Sequence, residues 1–85
     1  MINPNYEEFV ANLVKPLVAF PEVVKVTTAS DEEDLLTLEV LVNTNDLGRV
    51  IGKKGRIANS IRTIAFAYGA RHNRRIDIVF DAFNE

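Results

Sequence analysis

The stretch Gly52-Lys53-Lys54-Gly55 constrains this chain more than any other, because it sets a four-residue turn between two helical patterns. Before it, LGRVI (47–51) has room for a short helix. After it, Ile57, Ile61, Ile64, Ala65 and Tyr68 recur at helical spacing and predict a longer helix that ends near Gly69. Gly52 permits backbone angles that a side chain forbids, and Gly55 removes a Cβ where another backbone can approach. The start of the longer helix presents unpaired N–H groups and the positive end of its dipole. Lys53 and Lys54 add two mobile charges at the same spot. The construction suits a phosphodiester backbone, which needs close approach, amide donors and positive charge together. A plain helix–helix turn explains one glycine but not the paired lysines.

The rest of the chain supplies strands and one more helix. Asn5, with Glu8 three residues on, resembles a capping box, and Glu7 and Glu8 suit the positive end of a helix dipole. Tyr6, Phe9, Val10, Leu13, Leu17 and Phe20 form one helical stripe. Pro16 lies inside that stripe, so a kinked helix packed continuously from Tyr6 to Phe20 is expected. VVKVTT (23–28) and LLTLEVLV (35–42) read as strands, with Leu36, Leu38, Val40 and Val42 on one face. The acidic ASDEED (29–34) between them is a hairpin loop expected to be dispensable for folding. It lacks the spaced acids and central glycine of a calcium loop. NTND (43–46) offers helix caps, ARHNRR (70–75) is a basic loop, and IDIVF (76–80) is the last strand. The order α-β-β-α-α-β predicts an α+β domain, a three-stranded sheet with helices packed on it. Strand order is left open.

The 85 residues are expected to form one domain, spanning 1–85, with a small core. There is no cysteine, hence no disulfide framework and no thiolate metal site. No apolar run reaches membrane-span length, and MINPNYEEF has acids where a signal peptide needs basic residues, so a cytoplasmic protein is expected. The net charge of −2 hides a polarised chain. Residues 1–47 hold two basic and nine acidic residues, for −7; residues 48–85 hold eight basic and three acidic ones, for +5. All eight basics lie from Arg49 to Arg75, and no acid interrupts them. A solvated face can look like this, but a basic zone centred on a glycine turn points to a polyanion.

Other phosphate motifs fail. A P-loop needs four residues between its glycines and a Lys-Ser or Lys-Thr ending; Gly48 and Gly52 have three residues between them, and Lys53 is followed by Lys54. A dinucleotide fingerprint needs glycines after a strand at a different spacing. His72 is the single histidine, and Ser30 and Ser60 have no evident base. No catalytic residue, metal ligand or cofactor site is expected.

GRVIGKKGRIANSIRTI resembles the signature of a KH domain, whose I-G-x-x-G loop joins two helices, and the element order resembles the type II, bacterial form. Nearly the whole chain, including VKPL and GRVIGKKGR, is similar to the small single-KH-domain RNA-binding proteins of bacteria, the KhpA-like family. One departure is visible: Ala58 stands where many relatives place a larger apolar residue, and Ile57 lies one earlier. The resemblance implies recognition of about four nucleotides of single-stranded RNA or DNA, with the backbone clamped at the loop. It implies that Gly52, Lys53, Lys54 and Gly55 are the clamp and that Val50, Ile51 and Ile57 are candidates for an apolar floor under the bases. Arg49, Arg56 and Arg62 are candidate phosphate contacts, and the second strand near Val40 and Val42 is the expected opposite wall. Phe66 and Tyr68 are expected in the core, leaving the groove without aromatic platforms and a single domain weak. The family's association with post-transcriptional control or RNA-chaperone activity, its homodimers, and its heterodimers with a larger KH-containing partner are further implications. Two other readings stay open: a helix-turn-helix reader of duplex DNA, and a protein-only dimerisation module with a vestigial groove.

Overall fold

The computed structural model describes residues 4–83. They form α1 (Tyr6–Val14), β1 (Lys25–Asp31), β2 (Leu36–Val42), α2 (Thr44–Ala70) and β3 (Ile76–Ala82), with 3-10 turns at Lys15–Leu17 and Pro21–Val23. The backbone of α2 leaves helical geometry from Gly52 to Gly55, so α2 is two helical arms, and the observed order is the expected α-β-β-α-α-β. The strands align as β1-β2-β3. β1 and β2 pair antiparallel, as a hairpin allows. β2 and β3 pair parallel, with Leu36 opposite Ile76 and Val42 opposite Ala82, and α2 is the crossover that a parallel pair requires.

Alternation along β2 places Leu36, Leu38, Val40 and Val42 in the core, with Ile76 and Ile78 beside them on β3. Val10 and Val14 of α1 and Ile61 and Ala65 of α2 close over that face. Asn5 caps α1 as expected: its Oδ1 accepts from the Glu8 N–H at 3.0 Å. One turn on, α1 is tied to α2 by Phe9, whose ring stacks on Tyr68 at 3.8 Å between centroids.

The long kinked first helix is not what forms. The α-helix stops at Val14, and Pro16 lies in the short 3-10 turn. Proline has no N–H for the Asn12 carbonyl and its ring crowds that carbonyl, so the helix breaks instead of bending. Val18 is extended, and Leu17 and Phe20 are exposed at 44% and 37%. The segment is held instead by a residue of α2. The buried carboxylate of Asp46 accepts hydrogen bonds from the Ala19 and Phe20 N–H groups at 2.9 and 3.0 Å.

The hairpin is also tighter than expected. β1 runs on through Ala29, Ser30 and Asp31, with a bulge between Thr28 and Ser30. Only Glu33 and Asp34 remain as the turn, closed by reciprocal Glu32–Leu35 backbone bonds of 3.0 and 3.2 Å. Asp31 is not a free loop acid: it pairs with Arg74 at 2.7 Å.

The long arm of α2 faces the sheet with Ala58, Ile61, Ala65 and Gly69, while Ile64 is 47% exposed. Ala58 is thus the inward residue and Ile57 lies half-buried on the flank. Gly69 does not end the helix, which continues to Ala70. A Cβ there would stand 2.7 Å from the Arg74 carbonyl oxygen and 2.8 Å from the Ile76 side chain, so Gly69 lets the chain fold back tightly into β3.

Candidate nucleic-acid interface

Asn43 starts the first arm of α2, its Oδ1 accepting from the Asn45 N–H at 2.8 Å. The arm's inward residue just before the loop is Val50, which is fully buried. Ile51, next in sequence, is 49% exposed beside the loop. The loop itself is a left-handed turn. Gly52 is extended at φ −71° and ψ 174°, and Lys53, Lys54 and Gly55 follow with φ of 50°, 64° and 69°.

The two glycines therefore exchange the roles expected of them. Gly52 has angles open to any residue, and a Cβ there would meet no atom of the protein within 4 Å. Gly55 is the one in a conformation that favours glycine. The unexpected cost falls on Lys53 and Lys54, two L-residues held in the left-handed region, where each loses about 1–2 kcal/mol. The Asn59 side chain steadies the turn from the next helical turn, donating to the Lys54 carbonyl at 3.4 Å.

Lys53, Lys54 and Arg56 project together into a cleft of about 650 Å³ that continues past Asn59, Ser60 and Thr63. Arg49 is exposed on the first arm and does not line that cleft. Ile57 packs against the core, half-buried. Arg62 turns away from the solvent. Its Nε donates to the Ile78 carbonyl at 3.2 Å, its Nη1 donates to Asn59 Oδ1 at 3.0 Å, and its guanidinium lies 5.2 Å from the Phe80 ring centroid.

Those bonds show which strand borders the loop arm. β2 is central, its backbone paired on both sides, and the Val40 and Val42 side chains are fully buried. Both face the core, and neither lines the lysine cleft. β1 and β3 are the sheet's two edges, and it is on β3 that Arg62 sits. The order of the sheet, open in the sequence, decides this. Sequence reasoning also misplaced Phe66, which is 54% exposed, because the inward positions 58, 61, 65 and 69 leave 62 and 66 on the flank. The spacing of the small residues Ala58, Ala65 and Gly69 was the available signal. Tyr68, by contrast, is packed under Phe9.

Two helical arms joined by a Gly-x-x-G turn, on a sheet with one antiparallel and one parallel pair, define a KH-type domain. Residues 7–80 match the family described as KhpA/KhpB, KH domain. The RNA-binding protein KhpA of Listeria monocytogenes is 46% identical over 70 residues, 82% of this chain and 91% of that protein. The RNA-binding protein KhpA of Bacillus subtilis is 33% identical over 82 residues, 95% of this chain and 100% of that protein. The protein of the same name from Borreliella burgdorferi is 38% identical over 74 residues, covering 87% and 89%. The chain belongs to the KhpA/KhpB KH-domain family.

Proposed function

We propose that this chain is a single KH domain that binds single-stranded RNA and performs no catalysis of its own. The observation that carries the reading is the left-handed turn at Lys53, Lys54 and Gly55, which projects two lysines where the long arm of α2 begins. Phosphates approach at Gly52, where the missing Cβ leaves open space, and the first N–H groups of the arm lack intrahelical acceptors. Lys53, Lys54 and Arg56 supply charge, and Arg49 adds to it from a distance. The bases lie over exposed Ile51 and the flank of the arm, towards the β3 edge where Arg62 is fixed. Val50 and Ile57 act beneath this surface by packing. The RNA-binding names of the relatives support the same assignment. Among the described residues no helix is long and apolar enough to cross a membrane, and we place the protein in the cytoplasm, acting on RNA as a regulator or chaperone. Pairing with a second copy or with a larger KH-containing protein raises the affinity of a weak module by linkage.

Duplex DNA readout fits less well, because the long arm buries Ala58, Ile61 and Ala65 and has its flank against β3. The test is the double substitution Gly52→Asp, Gly55→Asp. Binding to single-stranded RNA is expected to be lost while the circular dichroism spectrum is retained. Retained RNA binding, or equal competition by duplex DNA, overturns the proposal.

A further inference from the structure

We propose that Phe66 and Arg75 form an additional nucleotide subsite at the far end of the long arm, taking one base and one phosphate of an RNA strand that continues beyond the glycine loop. The inference rests on the reading of that loop as an RNA clamp.

Phe66 is the most exposed large apolar side chain among the described residues, at 54%. No packing role accounts for it. It lines a cleft of about 470 Å³ together with Arg62, Arg75, Leu35 and Ile76. Leu35 and Ile76 give that cleft an apolar floor, the two arginines give it positive charge, and Phe66 gives it an aromatic wall. One acid also lines it, Asp77, but its Oδ1 accepts from the Ile78 N–H at 2.9 Å and so is turned onto the backbone.

The cleft is continuous with the loop. Gly55, Asn59, Arg62 and Phe66 follow one another by four, three and four residues along one flank of the arm. Phe66 is thus eleven residues, or about 16 Å, along the helix from Gly55. Thr63 lines both the loop cleft and this one. On the other side of Phe66 lies a second cleft, where Glu33 and Asp34 of the hairpin turn face Arg74 and Arg75 and offset their charge. A polyanion leaving the lysines finds arginines as far as Arg75, and beyond it acids that balance the remaining positive charge. Charge and continuity with the loop together select a single strand of RNA as the occupant.

The probes are fluorescein-labelled oligouridylates of four and eight nucleotides, followed by anisotropy, with amide NMR titration reading the four-mer into the millimolar range. Phe66→Ala is expected to weaken eight-mer binding by about 5- to 150-fold, the worth of one stacked base, and to leave the four-mer unchanged. Phe66→Trp is expected to retain the eight-mer affinity. Arg75→Ala is expected to flatten the salt slope for the eight-mer by about 0.7. An equal effect of Phe66→Ala on both lengths, or none on either, overturns the subsite. So does a Phe66→Ala chain that binds RNA normally but sediments differently from the native one, since the ring then serves a protein contact. Persistence of four-mer binding in the Gly52→Asp, Gly55→Asp chain is a separate outcome, which overturns the loop reading itself.

Discussion

Lys53 and Lys54 hold φ of 50° and 64°, so the turn stores strain in the two residues whose charge it presents. Such strain persists where the surrounding structure over-determines it, and functional sites are where it collects. Replacing Lys54 with glycine relieves about 1–2 kcal/mol of strain and returns about 0.5–1 kcal/mol through the freer unfolded chain. Lys54→Gly is therefore expected to raise the stability in urea by up to about 1.5 kcal/mol while weakening RNA binding. A loss of stability would show that the left-handed turn is not strained. Asp46 has the opposite character: it is buried, and it accepts two hydrogen bonds from the Ala19 and Phe20 N–H groups. Asp46→Ala leaves two partly buried N–H groups without acceptors, and about 2–4 kcal/mol of stability is expected to go with them. An unchanged urea midpoint would mean that water replaces the carboxylate. The lysines were legible in the sequence because their spacing is local. Asp46 was not: in NTND it is one more helix-capping residue, and its partners lie 26 and 27 positions away.

At the scale of elements, two glycines of α2 show how far a pattern can be read. Gly48 and Gly69 both sit at helical positions, and propensity alone disfavours both. A Cβ at Gly48 meets nothing within 4 Å, whereas one at Gly69 meets the Arg74 carbonyl oxygen at 2.7 Å. Gly48→Ala is expected to stabilise by about 1 kcal/mol, and Gly69→Ala to destabilise by about 1–3 kcal/mol because backbone must move. For a chain of this size each kcal/mol shifts the melting temperature by roughly 4–8 °C, so thermal unfolding separates the two by sign. Equal shifts would mean that the return from α2 into β3 is looser than its geometry. Periodicity placed the three strands and the long arm, since each buries a regular face. It overran at Pro16, where a missing donor broke the first helix, and fell short at the hairpin, where strand pairing carried Ala29, Ser30 and Asp31 into β1. It could not order the strands, so it did not show that Val40 and Val42 lie on the central strand with buried side chains.

Over the whole molecule, the fold separates the −7 of residues 1–47 from the +5 of residues 48–85 only in part, since Arg74 pairs with Asp31 and lies with Arg75 beside Glu33 and Asp34. The lysine loop lies in the basic part, while Glu33 and Asp34 occupy the hairpin tip at the opposite end of the long arm. Binding should then follow counterion release from a few phosphates near the loop. If about three are neutralised, log K against log salt is expected to slope near −2, at roughly −0.7 per contact for single strands. A fourfold rise in salt then costs on the order of 20-fold in affinity. Replacing Lys53 and Lys54 with alanine is expected to flatten that slope by about 1.4, leaving the contribution of Arg56 and its neighbours. The loss should be similar across RNA sequences, because phosphate contacts carry no base information. A double variant whose slope matches that of the native chain would place both lysines in solvent. The basic run from Arg56 to Arg75 would then be the surface that holds the RNA.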